Sequence, residues 1–277
     1  SAEEINDRKL DKFISDMTLE EKVGQMFFVR CPDEDAVQHV SEYNIGGYIL
    51  FGRDFDGKTK DEVVDDIHSY QNEADIPLLI GVDEEGGTVV RVSSNPNLRE
   101  TPFLSPKDTY ADGGWDAVKQ DAEEKADLLL SLGINVNLAP VCDMTSDEYG
   151  FMYDRSFSSD VDMENRYVRT VVETSKSKKL GTVLKHFPGY GNNSDTHTGI
   201  AYDDRDYSEF ENTDFKPFYQ GIESGADCIL VSHNIVNCMD SEYPASLSQK
   251  VHDILRNEFK FDGVIMTDDL IMDAITD

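Results

Sequence analysis

Thr182-Val-Leu-Lys-His-Phe-Pro-Gly-Tyr-Gly-Asn-Asn-Ser-Asp-Thr-His197 opens as an apolar run, ends that run on two polar residues, and then becomes a loop. Pro188, Gly189 and Gly191 force the change, because proline removes a backbone donor and glycine opens left-handed conformations. Six other short runs have the same apolar build: Val23–Val29, Ile45–Phe51, Ile76–Val82, Ile134–Val141, Cys228–Ser232 and Val264–Thr267. All are rich in Val, Ile, Leu or Phe and show little alternation, as parallel strands covered on both faces require.

Amphipathic stretches lie between most of these runs. Lys60–Ala74 places Val63, Val64, Ile67 and Tyr70 on one helical face, and Trp115–Leu132 and Val161–Leu180 read as further helices. Thr18-Leu-Glu-Glu21 and Ser246-Leu-Ser-Gln249 have the capping-box pattern that opens a helix. Repeated β-α units mean a parallel sheet, either doubly wound or closed into a barrel.

The polar residues decide between the two. Asp83, Asp143, Lys185 with His186, His233 and Asp268 all fall at or just beyond the carboxyl ends of runs. Many strands each sending a polar residue to one end is the TIM-barrel arrangement. A nucleotide-binding sheet concentrates its signal in one glycine-rich turn, and neither GxGxxG nor a P-loop is present. The expected fold is therefore an α/β TIM (β/α)8-type barrel, a single domain over residues 1–277. Seven strands are countable where eight are needed, and the sequence ends nine residues after Asp268. The reading is a barrel whose eighth β/α unit is absent from this chain, truncated at its C-terminus.

Composition narrows the partners. With 39% hydrophobic residues, the 277-residue chain can bury one large core. Against 56 Asp and Glu stand 25 Lys and Arg, a net charge of −31, which repels nucleic-acid phosphates. No apolar run approaches the ~20 residues that span a bilayer. The cysteines Cys31, Cys142, Cys228 and Cys238 lack zinc-site spacing. The expectation is no metal, no cofactor, no nucleic acid and no membrane span.

Three segments carry candidate chemistry. In the Lys185–His197 segment, Asp195 stands two residues from His197. A carboxylate beside a histidine fixes its tautomer and favours its protonated form, which makes an acid/base catalyst. An Asp that merely caps a turn is the plainer reading, and a metal site would draw on His186 and His233. In Gly263-Val-Ile-Met-Thr-Asp-Asp-Leu270, a buried strand ends in two adjacent acids. Adjacent residues face opposite ways, so Asp268 is assigned to the mouth, where a carboxylate can attack an anomeric carbon, and Asp269 to capping the next helix. In Ile80-Gly-Val-Asp-Glu-Glu-Gly-Gly-Thr-Val-Val-Arg91, the glycine pair brings Arg91 back toward Asp83. The two could hold sugar hydroxyls, or form a structural Asp–Arg pair. Arg155, in Tyr153-Asp-Arg-Ser-Phe157, is open to the same two readings.

Taken in order, these segments resemble glycoside hydrolase family 3, in its β-N-acetylglucosaminidase branch. The resemblance rests on Val23-Gly-Gln-Met-Phe27, Ile45-Gly-Gly-Tyr-Ile-Leu-Phe51, Asp83–Arg91, Asn137-Leu-Ala-Pro-Val-Cys-Asp143, Arg155–Phe157, Lys185–His197 and Thr267–Leu270. It covers nearly the whole chain. It implies a TIM barrel that releases terminal β-linked N-acetylglucosamine from cell-wall or chitin-type fragments, with retention. Asp268 is then the nucleophile and His197, backed by Asp195, the acid/base. Asp83, Arg91, Arg155, Lys185 and His186 bind the sugar. The sequence departs from the family pattern at Tyr190, where histidine is usual, and in a spacer, Asn192-Asn-Ser194, that is one residue short. A β-glucosidase-like member of the family and a non-catalytic sugar-binding barrel are the alternatives.

Overall fold

The computed structural model describes residues 2–193, 196, 199–272 and 275. Its centre is a curled, seven-stranded, all-parallel sheet. In sheet order the strands are β1 (Phe28–Arg30), β2 (Gly47–Leu50), β3 (Leu79–Val82), β4 (Val136–Asn137), β5 (Gly181–Phe187), β7 (Cys228–Val231) and β9 (Val264–Thr267). A separate two-stranded parallel sheet, β6 (Tyr202–Asp203) with β8 (Ile235–Val236), sits in the loops beyond β5 and β7. No sequence pattern marks it, because two-residue strands carry no period.

All seven apolar runs contain one strand each, yet the first was read too long. Val23 and Gly24 end helix α2 (Leu19–Gly24), and the strand begins only at Phe28. A side chain at position 24 would collide with the backbone oxygens of Tyr43 and Asn44. The Thr18 capping box does form, and it opens this short helix. At the other end, Ser246 does not cap. Ser248 accepts the Val251 N–H and starts helix α10 (Gln249–Asp253), while the Ser246 hydroxyl is engaged by His233.

Both faces of the sheet are covered. On the inner face, Leu138, Val183, Cys228 and Leu230 pack with Phe28, Ile49, Val136 and Met266. The outer face meets helices. Of these, α5 (Lys60–Glu73), α6 (Pro106–Leu132), α7 (Val161–Lys178) and α9 (Phe215–Glu223) pack neighbour to neighbour. Helix α6 breaks at Gly113 and Gly114, the latter at φ +65°, so the helix read from Trp115 is its second half. Two outer clusters result, one around Tyr48, Ile80 and Leu129, the other around Phe187, Phe215 and Phe218.

Among the described residues, β1 and β9 are the sheet's edges. Apolar side chains lie open there: Met26 is 83% exposed and Val264 54%. An apolar groove lined by Leu19, Val23, Phe27, Val29 and Tyr43 runs beside β1. The observed architecture is thus an α/β fold around an open, barrel-like parallel sheet.

One outer-layer residue makes the fold's stability depend on pH. Glu164 of α7 is fully buried; one carboxylate oxygen accepts the Ser158 N–H at 2.9 Å, and the other has no partner among the described residues. Burial first, with the nearby Asp143 charge, pushes this carboxyl well above its ordinary value of 4.5. A carboxyl raised on folding must take up a proton, so its neutral form favours the fold at low pH. Stability is then lost as pH climbs above the unfolded value. Glu164→Gln, which keeps the shape without the charge, is expected to raise the melting temperature at pH 8, with the gain fading toward pH 4. Thermal melts across that range check it, and equal effects at both ends overturn it.

Candidate active site

Side-chain alternation sets the site. Phe28, Ile49, Val183 and Met266 lie on the inner face. Two residues further along each strand, the same face is occupied by Arg30, Phe51, Lys185 and Asp268. Asp83 joins them, two residues beyond Gly81, where any side chain would meet the Phe28 ring. The carboxyl ends of five strands therefore face one mouth.

Lys185 is the centre of this mouth. Its ammonium, 3% exposed, lies 2.5 Å from Asp83 Oδ1 and 2.7 Å from Glu85 Oε1. Glu85 in turn receives Arg155 twice, from Nε at 3.0 Å and Nη2 at 2.8 Å. Burial pushes the Glu85 carboxyl up, but the Lys185 and Arg155 charges outweigh it and hold it well below the usual carboxylate range. Burial likewise works against the charged Lys185, and Asp83 with Glu85 more than restore it, so it stays protonated. Asp83 thus pairs with Lys185 rather than forming the Asp–Arg pair that was the alternative for Arg91.

His186 stands beside this cluster. Its Nε2 lies 3.3 Å from Arg155 Nη2, which can only donate. The ring therefore accepts there and donates from Nδ1 to Asp143 Oδ2 at 2.7 Å. Asp143 is completely buried and takes two further donors, the His186 N–H at 3.0 Å and the Tyr190 N–H at 2.7 Å. One carboxylate thereby fixes the histidine's tautomer and its backbone.

Arg91 reaches the mouth through a turn that two adjacent residues make possible. Gly86 and Gly87 take positive φ, and a side chain on Gly86 would meet the Leu104 carbonyl. The buried Glu84 carboxylate then gathers the N–H groups of Arg91 (2.9 Å), Val92 (2.7 Å) and Ser93 (3.3 Å), together with the Ser93 hydroxyl. The Arg91 guanidinium lies 5.6 Å from the centre of the Phe51 ring, and its Nε has no partner among the described residues. Arg30 stacks on the same ring at 4.4 Å.

Asp268 donates its N–H to the Val231 carbonyl at 2.9 Å, which continues the β7–β9 ladder, and its carboxylate accepts the Asp269 N–H. Asp269 accepts the Ile271 N–H at 3.1 Å, a turn bond at the place where a helix cap was expected. His233 does not present its ring to the mouth as a free ligand. Nε2 donates to the Asp269 carbonyl at 2.8 Å, so the other nitrogen accepts from the Ser246 hydroxyl at 2.7 Å. Asp195 and His197 lie outside the described residues, while Thr196 between them is buried.

The geometry brings Asp83, Lys185, His186 and Arg155 into one network and sets Arg91 and Asp268 on the same mouth. It adds Glu84, Glu85 and Asp143, to which the sequence assigned no role. A signal was available: two adjacent acids between a buried strand and a glycine pair must find partners if they are buried. Glu85→Gln removes the carboxylate shared by Lys185 and Arg155. It is expected to lower stability by about 3–5 kcal/mol, as breaking one side of a buried ion network does. Urea unfolding of the two proteins measures this, and a change within ordinary surface-mutation range contradicts it.

Residues 18–277 match the family described as glycosyl hydrolase family 3 N terminal domain. A beta-hexosaminidase of Nitrosomonas eutropha is 33% identical over 249 residues, covering 87% of this chain and 70% of that one. A beta-hexosaminidase of Haemophilus influenzae is 30% identical, covering 87% and 68%. A solved glycoside hydrolase family 3 beta-N-acetylglucosaminidase from Paenibacillus superposes with a TM-score of 0.86 at 28% identity, over 94% of this chain and 51% of that one. A family 3 glycosyl hydrolase from Mycobacterium smegmatis gives 0.83 at 27% identity, covering 94% and 79%. This chain therefore spans about half of the Paenibacillus protein. With its sequence matched from residue 18 onward and its strand-end polar residues assembled at one mouth, the chain belongs to glycoside hydrolase family 3.

Proposed function

We propose that this chain is the catalytic barrel of a retaining exo-β-N-acetylglucosaminidase acting on terminal β-linked N-acetylglucosamine of peptidoglycan- or chitin-type fragments. The observation that carries the reading is the inner-face mouth itself. There a buried Lys185–Glu85–Arg155 network and the Asp143-held His186 share one sheet face with the Asp268 carboxylate. The beta-hexosaminidases and the beta-N-acetylglucosaminidase to which the chain is similar support the same substrate class.

In this reading Asp83 and Arg91 hold sugar hydroxyls, with Lys185, His186 and Arg155 beside them. Asp268 attacks the anomeric carbon while protonated His197 gives its proton to the leaving oxygen. A covalent glycosyl-enzyme forms with inversion. His197, now neutral and oriented by Asp195, takes a proton from water, which attacks the same carbon and inverts it again as the Asp268–carbon bond breaks and frees the carboxylate. The product is the β-sugar.

The finer fold belongs to the same proposal. The sheet is the larger part of a (β/α)8-type barrel, and the β1 and β9 edges, with their exposed apolar side chains and the groove at Phe27, are where an eighth β/α unit fits. Open edges with such side chains are unfavourable when left uncovered.

A 2-deoxy-2-fluoro glycoside that traps the intermediate is expected to add one sugar mass to the peptide containing Asp268, read by mass spectrometry after digestion. Label on any other residue removes Asp268 as nucleophile. Faster turnover of the glucoside than of the N-acetylglucosaminide in a paired nitrophenyl assay replaces the substrate class with that of a β-glucosidase.

A further inference from the structure

We propose that Tyr190 is a positioning residue that ties the sugar-binding histidine to the acid/base segment through one hydroxyl bond to Thr196. The inference rests on reading Asp195 and His197 as the acid/base pair.

Tyr190 is 2% exposed and is held on three sides. Its N–H donates to Asp143 Oδ1 at 2.7 Å, the carboxylate whose other oxygen fixes His186. Its ring stands edge-on to the His186 ring at 5.3 Å and to Phe151 at 5.0 Å. Its hydroxyl lies 2.5 Å from Thr196 Oγ1, and Thr196 is completely buried. Thr196 is flanked by Asp195 and His197. Thr196 is joined through the backbone to both, so a hold on Thr196 is the route by which Tyr190 acts on them.

The approach to this bond is anchored as well. Arg205, paired with Asp203 and Asp214, donates to the Gly189 carbonyl at 3.1 Å. Asn193 donates to Asp203 Oδ2 at 2.6 Å, and Thr145 donates to Asn192 Oδ1 at 2.7 Å. Residues 189–193 are thereby braced from below. Beyond them, the Tyr190 hydroxyl holds Thr196. Of the two departures from the family pattern, Tyr190 is one end of this link and the short spacer lies between its two ends.

A general acid matters most where the leaving group is poor. Loosening it therefore costs turnover of a disaccharide far more than turnover of a nitrophenyl glycoside, whose leaving group departs unprotonated. Simple damage to the fold or to the sugar pocket affects both substrates alike. This difference separates a positioning role from a structural one.

The test uses the whole chain with Tyr190→Phe and Thr196→Val, alone and combined, on β-1,4-linked di-N-acetylglucosamine and on 4-nitrophenyl N-acetyl-β-glucosaminide. The expected result is a ~10-fold fall in kcat on the disaccharide and less than about twofold on the nitrophenyl substrate, with KM little changed. The double variant should be no worse than either single one. Hydrogen exchange of the peptide over residues 190–200 should rise in Tyr190→Phe whether or not turnover is measurable. Equal losses on both substrates, additive losses in the double variant, or unchanged exchange overturn the tether. His197→Ala serves as the reference. If it shows the disaccharide-selective loss and Tyr190→Phe does not, the tether alone fails. If His197→Ala loses equally on both, the acid/base reading fails and the tether falls with it.

Discussion

The site depends on a carboxylate that two cations share. Glu85 is buried beneath the mouth, and an ionised group there is sustained only by close, opposite charge. Lys185 and Arg155 supply it at 2.7 and 2.8 Å. These three residues come from the turn after β3, from β5 and from the loop after β4. Their mutual attraction therefore joins three separate segments at one point. The same attraction fixes the rest. Lys185 is set against Asp83, Arg155 against His186, and His186 against Asp143. In a chain of net charge −31, the mouth has locally balanced charge: Asp83, Glu85, Asp143 and Asp268 stand with Lys185, Arg155, Arg91 and Arg30. An overall acidic chain is thus compatible with a mouth of balanced charge.

Much of the fold was legible because parallel strands covered on both faces must be apolar throughout. All seven runs yielded strands, and Lys60–Ala74 and Val161–Leu180 yielded helices within two residues of the expected ends. The error at Val23 has the same physical root. A short apolar run has no period of its own, so a strand and the last turn of a buried helix read alike. The capping box at Thr18 carried the correct information and was outweighed by the run that follows it. At Ser246 the pattern pointed to the wrong serine, because a hydroxyl that satisfies a buried histidine 13 residues earlier cannot also cap a helix.

The site was legible in part for a related reason. Asp83, Lys185, His186 and Asp268 announce themselves as polar residues closing apolar runs. Their partners do not. Lys185 and Asp83 are 102 residues apart in sequence, and Arg155 and Glu85 are 70 apart. No local spacing encodes such pairs. Glu84 and Glu85 stand side by side with opposite assignments. One gathers backbone N–H groups to shape the Arg91 turn, and the other neutralises two cations. Alternation along the chain tells that they differ, but only the fold tells which does what.

The two halves of the mouth are held very differently. The half that carries Lys185 and His186 is braced by a buried charge network and by strands paired on both sides. Asp268 sits on β9, which is paired on one side only among the described residues. What holds it there is backbone and one side chain: its own N–H on the Val231 carbonyl, and His233 on the carbonyl of Asp269. His233 is fully buried and its ring orientation is fixed by Ser246, so this support is rigid, but it acts from the β7 side alone. Binding residues can tolerate a little slack, since several hydrogen bonds share the load. A nucleophile cannot, because attack at carbon requires one distance and one line of approach. The edge beyond β9 is therefore the part of the barrel whose covering matters most for chemistry and least for recognition. On the proposed assignment, the residues that hold the sugar are braced firmly, while the carboxylate that reacts stands just past the end of a strand stiffened from one side.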